Sequence, residues 1–267
     1  MISLFRKIRQ KLLTENKVTR YLIYALGEIL LVTIGILIAL QMNSWKEQKR
    51  NQLSEQTFYQ TILDDLQNDQ KKLEQLSTFY ESRIDNLAWL LAHVRSPSLG
   101  VSPAEFGIHT EPLYYAESAI SFDATYEAAK SGGAFDNFSN KELLKKLVEY
   151  YSNFKQIEDV LTSSLRFLES SFEPLIASVP NDFLNSTTSG QVVSSAGNKG
   201  FYSLLDSIPN QRKLDTQKEI DAFLQKTELE SYLIGDLGRS FNMTNELELR
   251  SAQIKSLQEE IKFVIHD

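Results

Sequence analysis

The sequence predicts an all-α protein: one N-terminal transmembrane helix continuing into an elongated antiparallel helical bundle. Three observations carry this. Residues 21–42, YLIYALGEILLVTIGILIALQM, form an apolar run with one charge, Glu28. Apolar residues recur every seven positions over three later stretches. Only 11 Gly and 6 Pro interrupt 267 residues, which favours long helices over an all-β fold.

As a helix, the 22 residues of the apolar run extend roughly 33 Å, enough to cross the hydrocarbon core. The flanks turn abruptly basic before it and polar after it (NSWKEQKRNQ), unlike a buried core helix. A cleaved signal peptide would end in a small-x-small site, and Ala39-Leu40-Gln41 is a poor one. An uncleaved anchor is therefore expected.

Residues 1–20 carry six cations and one anion, a charge of +5; the remainder carries 22 cations and 34 anions, a charge of −12. The basic tip suits the anionic cytoplasmic leaflet of a lipid bilayer, and the acidic body argues against nucleic acid. Lys46, Lys49 and Arg50 follow the span, fewer than the six cations before it. The positive-inside rule then expects a cytoplasmic N-terminus and a body across the membrane. Tyr21, Tyr24 and Trp45 stand where interfacial anchors belong. Leu4, Phe5, Ile8 and Leu12, spaced by cations, suggest a short amphipathic helix in the cytoplasmic interface.

Within the span, Gly27, Gly35 and Ala39 fall roughly on one side, and Gly35-x-x-x-Ala39 is a small-x-x-x-small pattern. Glu28 lies about 10 Å from the cytoplasmic end by helix rise. These four residues are the candidate helix–helix contact in the membrane. Glu28 is costly in lipid unless it is hydrated or meets a second span.

The stretch FRKIRQKLLTENKVTRYLIYALGEILLVTIGILIALQMNSW resembles the signature of a family of uncharacterised single-span membrane proteins of the Bacteroidetes lineage. That family pairs an FRKIRQ-like basic helix with a GEI-x-L-V-x-IGILIALQ-x-N-x-W span. Residues 126–151 (YEAAKSGGAFDNFSNKELLKKLVEYY) are similar to its second recurring element. The resemblance implies a Gram-negative inner membrane and a periplasmic body. It implies no activity and no catalytic residues.

The division expected is a cytoplasmic segment 1–20, a transmembrane helix 21–42 and a bundle domain 43–267. No Gly or Pro separates Gly35 from Pro97, so the span should run directly into a helix over 45–94. There Tyr59, Leu66, Leu73, Tyr80, Leu87 and Val94 form a seven-residue row. Leu63, Leu76 and Leu90 add a neighbouring row, which Arg83 interrupts. A loop with one helical turn should fill 95–117, the turn opened by a capping box at Ser102-Pro103-Ala104-Glu105. A short helix near 122–131 should end at Gly132-Gly133. A second capping box, Ser139-Asn140-Lys141-Glu142, should open a helix to about 177 with Leu147, Phe154, Leu161, Leu168 and Leu175 in its row. The stretch 178–214 reads as a long irregular loop, of the kind that often carries binding function. The last helix, 216–265, should bury Ile220, Phe223, Leu237, Phe241, Leu247, Ile254, Leu257, Ile261 and Val264.

Chemistry-bearing patterns are sparse. The absence of cysteine removes disulfides, thiolate sites and cysteine nucleophiles. His93, His109 and His266 form no metal-ligand spacing. Glu105 with His109, and Asp64 with Asp65 and Asp69, read as solvated faces. Gly197-Asn198-Lys199-Gly200 reads as a turn, and phosphate-loop, dinucleotide and G-x-S-x-G motifs are missing. No catalytic, metal or cofactor site is expected. The expected role is a membrane-anchored periplasmic helical module that senses a ligand or binds a partner, as a homo-oligomer. The alternative is a structural or accessory subunit of a cell-envelope membrane complex.

Overall fold

The computed structural model describes residues 18–96, 98–117, 121–180 and 196–266; the expected interfacial helix before residue 18 lies outside them. The described residues are helical and contain no strand, as the seven-residue rows and scarce helix breakers require. Helix α1 covers Val18–Arg95, 78 residues, and so contains both the apolar run and the first heptad rows. The chain falls into two compact units: residues up to Thr57 with Asp136–Ser139, and Phe58–Phe135 with Asn140–Asp267.

In the first unit, Glu55 accepts hydrogen bonds from the Ser139 N–H at 2.9 Å and hydroxyl at 2.7 Å. This corrects the second capping box: Ser139 bonds to Glu55, and the cap of the following helix is Asn140, whose side chain accepts from the Leu143 N–H.

The second unit is the bundle. Its first short helix, α2 (Pro103–Thr110), opens with the expected capping box between Ser102 and Glu105, with Pro103 where its missing N–H costs nothing. A 3-10 turn, Glu111–Tyr114, follows. Helix α3 (Ala124–Ser131) ends at the glycine pair, where Gly133 takes a φ of 69° that other residues rarely adopt. Helices α4 (Lys141–Ser152) and α5 (Phe154–Phe167) meet at Asn153. A π-helical turn, Leu168–Phe172, leads into α6 (Glu173–Ile176).

The stretch expected to be irregular contains α7, Ala196–Ser207. Gly197–Gly200 is therefore helical, not a turn. Helix α8 (Thr216–Leu224) is separated by a bend from α9 (Thr227–His266), where one helix was expected. The bend turns the α8 residues Ile220 and Phe223 into a cluster with Leu87, Leu90, Phe106 and Phe172.

The row Tyr59, Leu66, Leu73, Tyr80 and Leu87 is buried as expected. Two other rows need correction. On α1 the second row begins at Ile62, fully buried, and not at the half-buried Leu63. On α9 Phe241 is 57% exposed, whereas Asp236, Ser240, Met243 and Arg250 are buried. The α9 seam thus runs Leu229, Leu233, Asp236, Ser240, Met243, Leu247, Arg250, Ile254, Leu257 and Ile261, alternating steps of four and three.

Candidate functional site

The corrected second row of α1 is Ile62, Asp69, Leu76, Arg83, Leu90, and the polar members are buried with the rest. Asp69 and Arg83 are two heptads apart on α1, and Asp236 and Arg250 have the same spacing and order on α9. Because α9 runs antiparallel, each acid faces a base: Arg83 meets Asp236, and Asp69 meets Arg250. Asp69 therefore does not belong to a solvated face, and Arg83 does not interrupt its row; each is a member of a polar layer inside the bundle.

In the first layer, Arg83 Nε and Nη2 donate to Asp236 Oδ1 and Oδ2 at 3.4 and 2.7 Å. Nη1 donates to the carbonyl of Tyr115 at 2.9 Å, with longer bonds from the guanidinium to the Pro112 and Leu113 carbonyls. Tyr232 donates its hydroxyl proton to Asp236 Oδ2 at 2.9 Å. Burial disfavours the Arg83 charge, but Asp236, Tyr232 and Tyr80 together outweigh it and raise its pKa above the ordinary arginine value.

The π-helical turn positions Tyr232. In an α-helix, residues five apart point about 140° from each other. Across this wider turn, Phe167 and Phe172 both stack on the Tyr232 ring, with centroids 4.9 and 5.1 Å away. Arg239 lies over Phe167 at 3.9 Å. Gly235 lies close to the same ring, and a Cβ there would stand 3.1 Å from Phe167 Cζ.

In the second layer, Asp69 accepts from the Tyr150 hydroxyl at 2.6 Å and the Phe122 N–H at 2.7 Å. Arg250 lies 4.0 Å from Asp69, donates to the Tyr150 carbonyl at 2.9 Å and stacks over the Tyr150 ring at 3.8 Å. Burial raises the Asp69 pKa, while the bonds from Tyr150 and Phe122 and the Arg250 charge oppose it. Together the two layers bind both ends of the segment between the 3-10 turn and α3 to α1, at Pro112–Tyr115 and at Ser121–Phe122. They are enclosed and internally satisfied, so what this geometry does is set helix register and hold the crossing segment.

Two smaller clusters surround the layers. Glu111, buried on the 3-10 turn, accepts from the Tyr202 hydroxyl of α7, and burial raises its pKa. Trp89 is in ring contact with His93 at 3.9 Å and with His109 at 4.0 Å. The His109 Nδ1 donates to the Asn86 side-chain oxygen at 2.8 Å. Its pKa is lowered, first by burial and then by His93. Glu105, by contrast, faces solvent and caps α2. Among the described residues, no three His, Asp or Glu side chains are grouped to hold a metal ion.

Glu28, Gly27, Gly35 and Ala39 all lie on the exposed surface of α1, and a Cβ added at either glycine would meet nothing within 4 Å beyond the helix's own backbone. Tyr24 and Trp45 are exposed, with Lys49 5.8 Å from the centre of the Trp45 ring. Tyr21 is in α1, and its side chain lies outside the described residues. Sequence reasoning places Asp69 on a solvated face, treats Arg83 as a break in its row and does not single out Asp236 or Arg250, so the polar layers are not visible to it. The signal that finds them is the shared two-heptad spacing from acid to base on two antiparallel helices.

Among the described residues, these features define an all-α protein with one helix long and apolar enough to cross a membrane and a bundle organised around two buried ion-pair layers. Residues 28–95, the greater part of α1, match a family of unknown function (DUF6090). No curated protein and no solved structure matches the chain.

Proposed function

We propose that the chain is a single-pass inner-membrane protein whose periplasmic bundle works by binding, as a ligand sensor or a partner-binding module, without catalysis. The observation that carries the reading is the apolar run of α1. Its most apolar window is unburied among the described residues, which supports a cover of lipid or of another span. The excess of cations before residue 21 supports a cytoplasmic N-terminus, on an anionic leaflet. The likeness of the span to single-span Bacteroidetes proteins supports the inner membrane. The open surface around Gly27, Gly35 and Ala39, beside Glu28, supports lateral contact with a second span in a homo-oligomer or a membrane complex. The satisfied ion-pair layers support a non-catalytic role, because their charges are committed to each other. The accessory-subunit reading rests on the same open span surface.

The test is purification of the intact protein in mild detergent, with masses measured on the complex. A self-associated form or a stoichiometric partner supports the proposal; a lone monomer with nothing bound overturns it. Reporter fusions after Asp267 test the topology: a fusion active only in the cytoplasm refutes the periplasmic placement.

A further inference from the structure

A cleft of about 280 Å³ opens in the bundle unit between the end of α1, the loop after it and α8. Leu99, Val101 and Leu224 supply its apolar surface, and His93, Gln217 and Asp221 are among its polar groups. The hydrogen bonds inside the cleft decide what it can recognise. Gln217 Nε2 donates to the Val101 carbonyl and to Asp221 Oδ1, both at 2.9 Å, so both of its N–H bonds are used. His93 Nδ1 lies 2.8 Å from the Trp89 carbonyl. A carbonyl only accepts, so Nδ1 carries a proton in that bond. Asp221 Oδ2 and Gln217 Oε1 remain as acceptors, Ser96 and Gln225 add side chains that can both donate and accept, and Asp221 is the one carboxylate among the lining residues. An occupant that complements this carboxylate brings N–H donors and a positive charge.

We propose that this cleft binds a small organic cation, a primary ammonium or guanidinium on a short apolar body. The cationic head bonds to Asp221 and Gln217, and the body lies on Leu99, Val101 and Leu224. His93 couples the cleft to Trp89, because their rings are in contact. The proposal deepens the sensing reading and rests on it, naming the class of ligand sensed.

The chain has two tryptophans, so Trp45→Phe leaves Trp89 as the sole reporter. The full-length Trp45→Phe protein in lipid nanodiscs is titrated with n-butylammonium, n-butylguanidinium and, as the opposite charge, butyrate. A saturable change in Trp89 emission with both cations and none with butyrate is expected. Asp221→Asn, at an exposed position, keeps the helical circular dichroism and weakens cation binding by about tenfold or more, equivalent to about 1.4 kcal/mol. Silence towards both cations, saturable butyrate binding, or equal binding by the Asp221→Asn protein overturns the proposal. Should the cleft be silent while a stoichiometric partner co-purifies, this inference falls and the binding-module reading stands.

Discussion

Arg83 Nη2 and Asp236 Oδ2 stand 2.7 Å apart, with 5% and 2% of their side chains exposed, although their positions in the chain are 153 residues apart. Water cannot screen the pair, so each charge depends on the other. Removing one partner leaves an uncompensated buried charge, which costs about 3–5 kcal/mol. Arg83→Leu and Asp236→Leu should therefore each lower the urea midpoint of unfolding strongly. The double variant should recover a large part of the loss, because an apolar layer of similar volume carries no desolvation cost. Additive losses in that cycle would refute the coupling.

Two glycines of α9 should respond oppositely to alanine. At Gly235 a new Cβ would meet Phe167 Cζ at 3.1 Å, and that ring is held by Tyr232 and Arg239. Overpacking costs about 1–3 kcal/mol, which exceeds the helix-propensity gain of about 1 kcal/mol. At Gly238 nothing lies within 4 Å, so Gly238→Ala should stabilise by about 0.8–1.0 kcal/mol. Thermal melts of the two variants give the signs directly.

Acid should weaken the bundle through His109. Its folded pKa is lowered by burial, with His93 adding to the effect, so the unfolded chain binds the proton more readily. The stability this group contributes is present above its ordinary value of about 6.5 and is lost as pH falls towards its folded pKa. Urea midpoints at pH values on either side of that window should diverge in the parent protein and converge in His109→Gln. A histidine titration by NMR that places His109 above its ordinary value would reverse the expected sign.

The membrane contact makes its own prediction. Packing between spans relies on close van der Waals approach, since lipid tails satisfy apolar side chains equally well. Gly35→Ile should weaken self-association in a membrane reporter assay. Glu28→Leu should weaken it by about 0.6–2 kcal/mol if the carboxyl group bonds across the pair, and Glu28→Gln less, because it keeps hydrogen-bonding groups. Unchanged association in all three would make the span a plain anchor.

Much of the fold was legible in the sequence because it depends on local periodicity. The apolar run, the Tyr59–Leu87 row, the Ser102 capping box and the glycine stop at Gly132-Gly133 each follow from residues within a few turns of one another. Helix geometry alone determines where such residues point. Phe241 shows the limit: it fits an apolar row in the chain but is exposed, because the seam of α9 runs through Asp236 and Arg250.

Those charges were decided by tertiary structure. An isolated Asp or Arg on a helix belongs in water, because burying a lone charge is costly. Asp69, Arg83, Asp236 and Arg250 become core residues only when α9 returns antiparallel to α1 and brings each an opposite charge. The π-helical turn has the same origin. Its wider turn places Phe167 and Phe172 together on the Tyr232 of another helix. The sequence by itself determined the all-helical class, the first long helix and the segment apolar enough for a membrane. The register between helices, and with it the polar interior, depended on partners more than a hundred residues away.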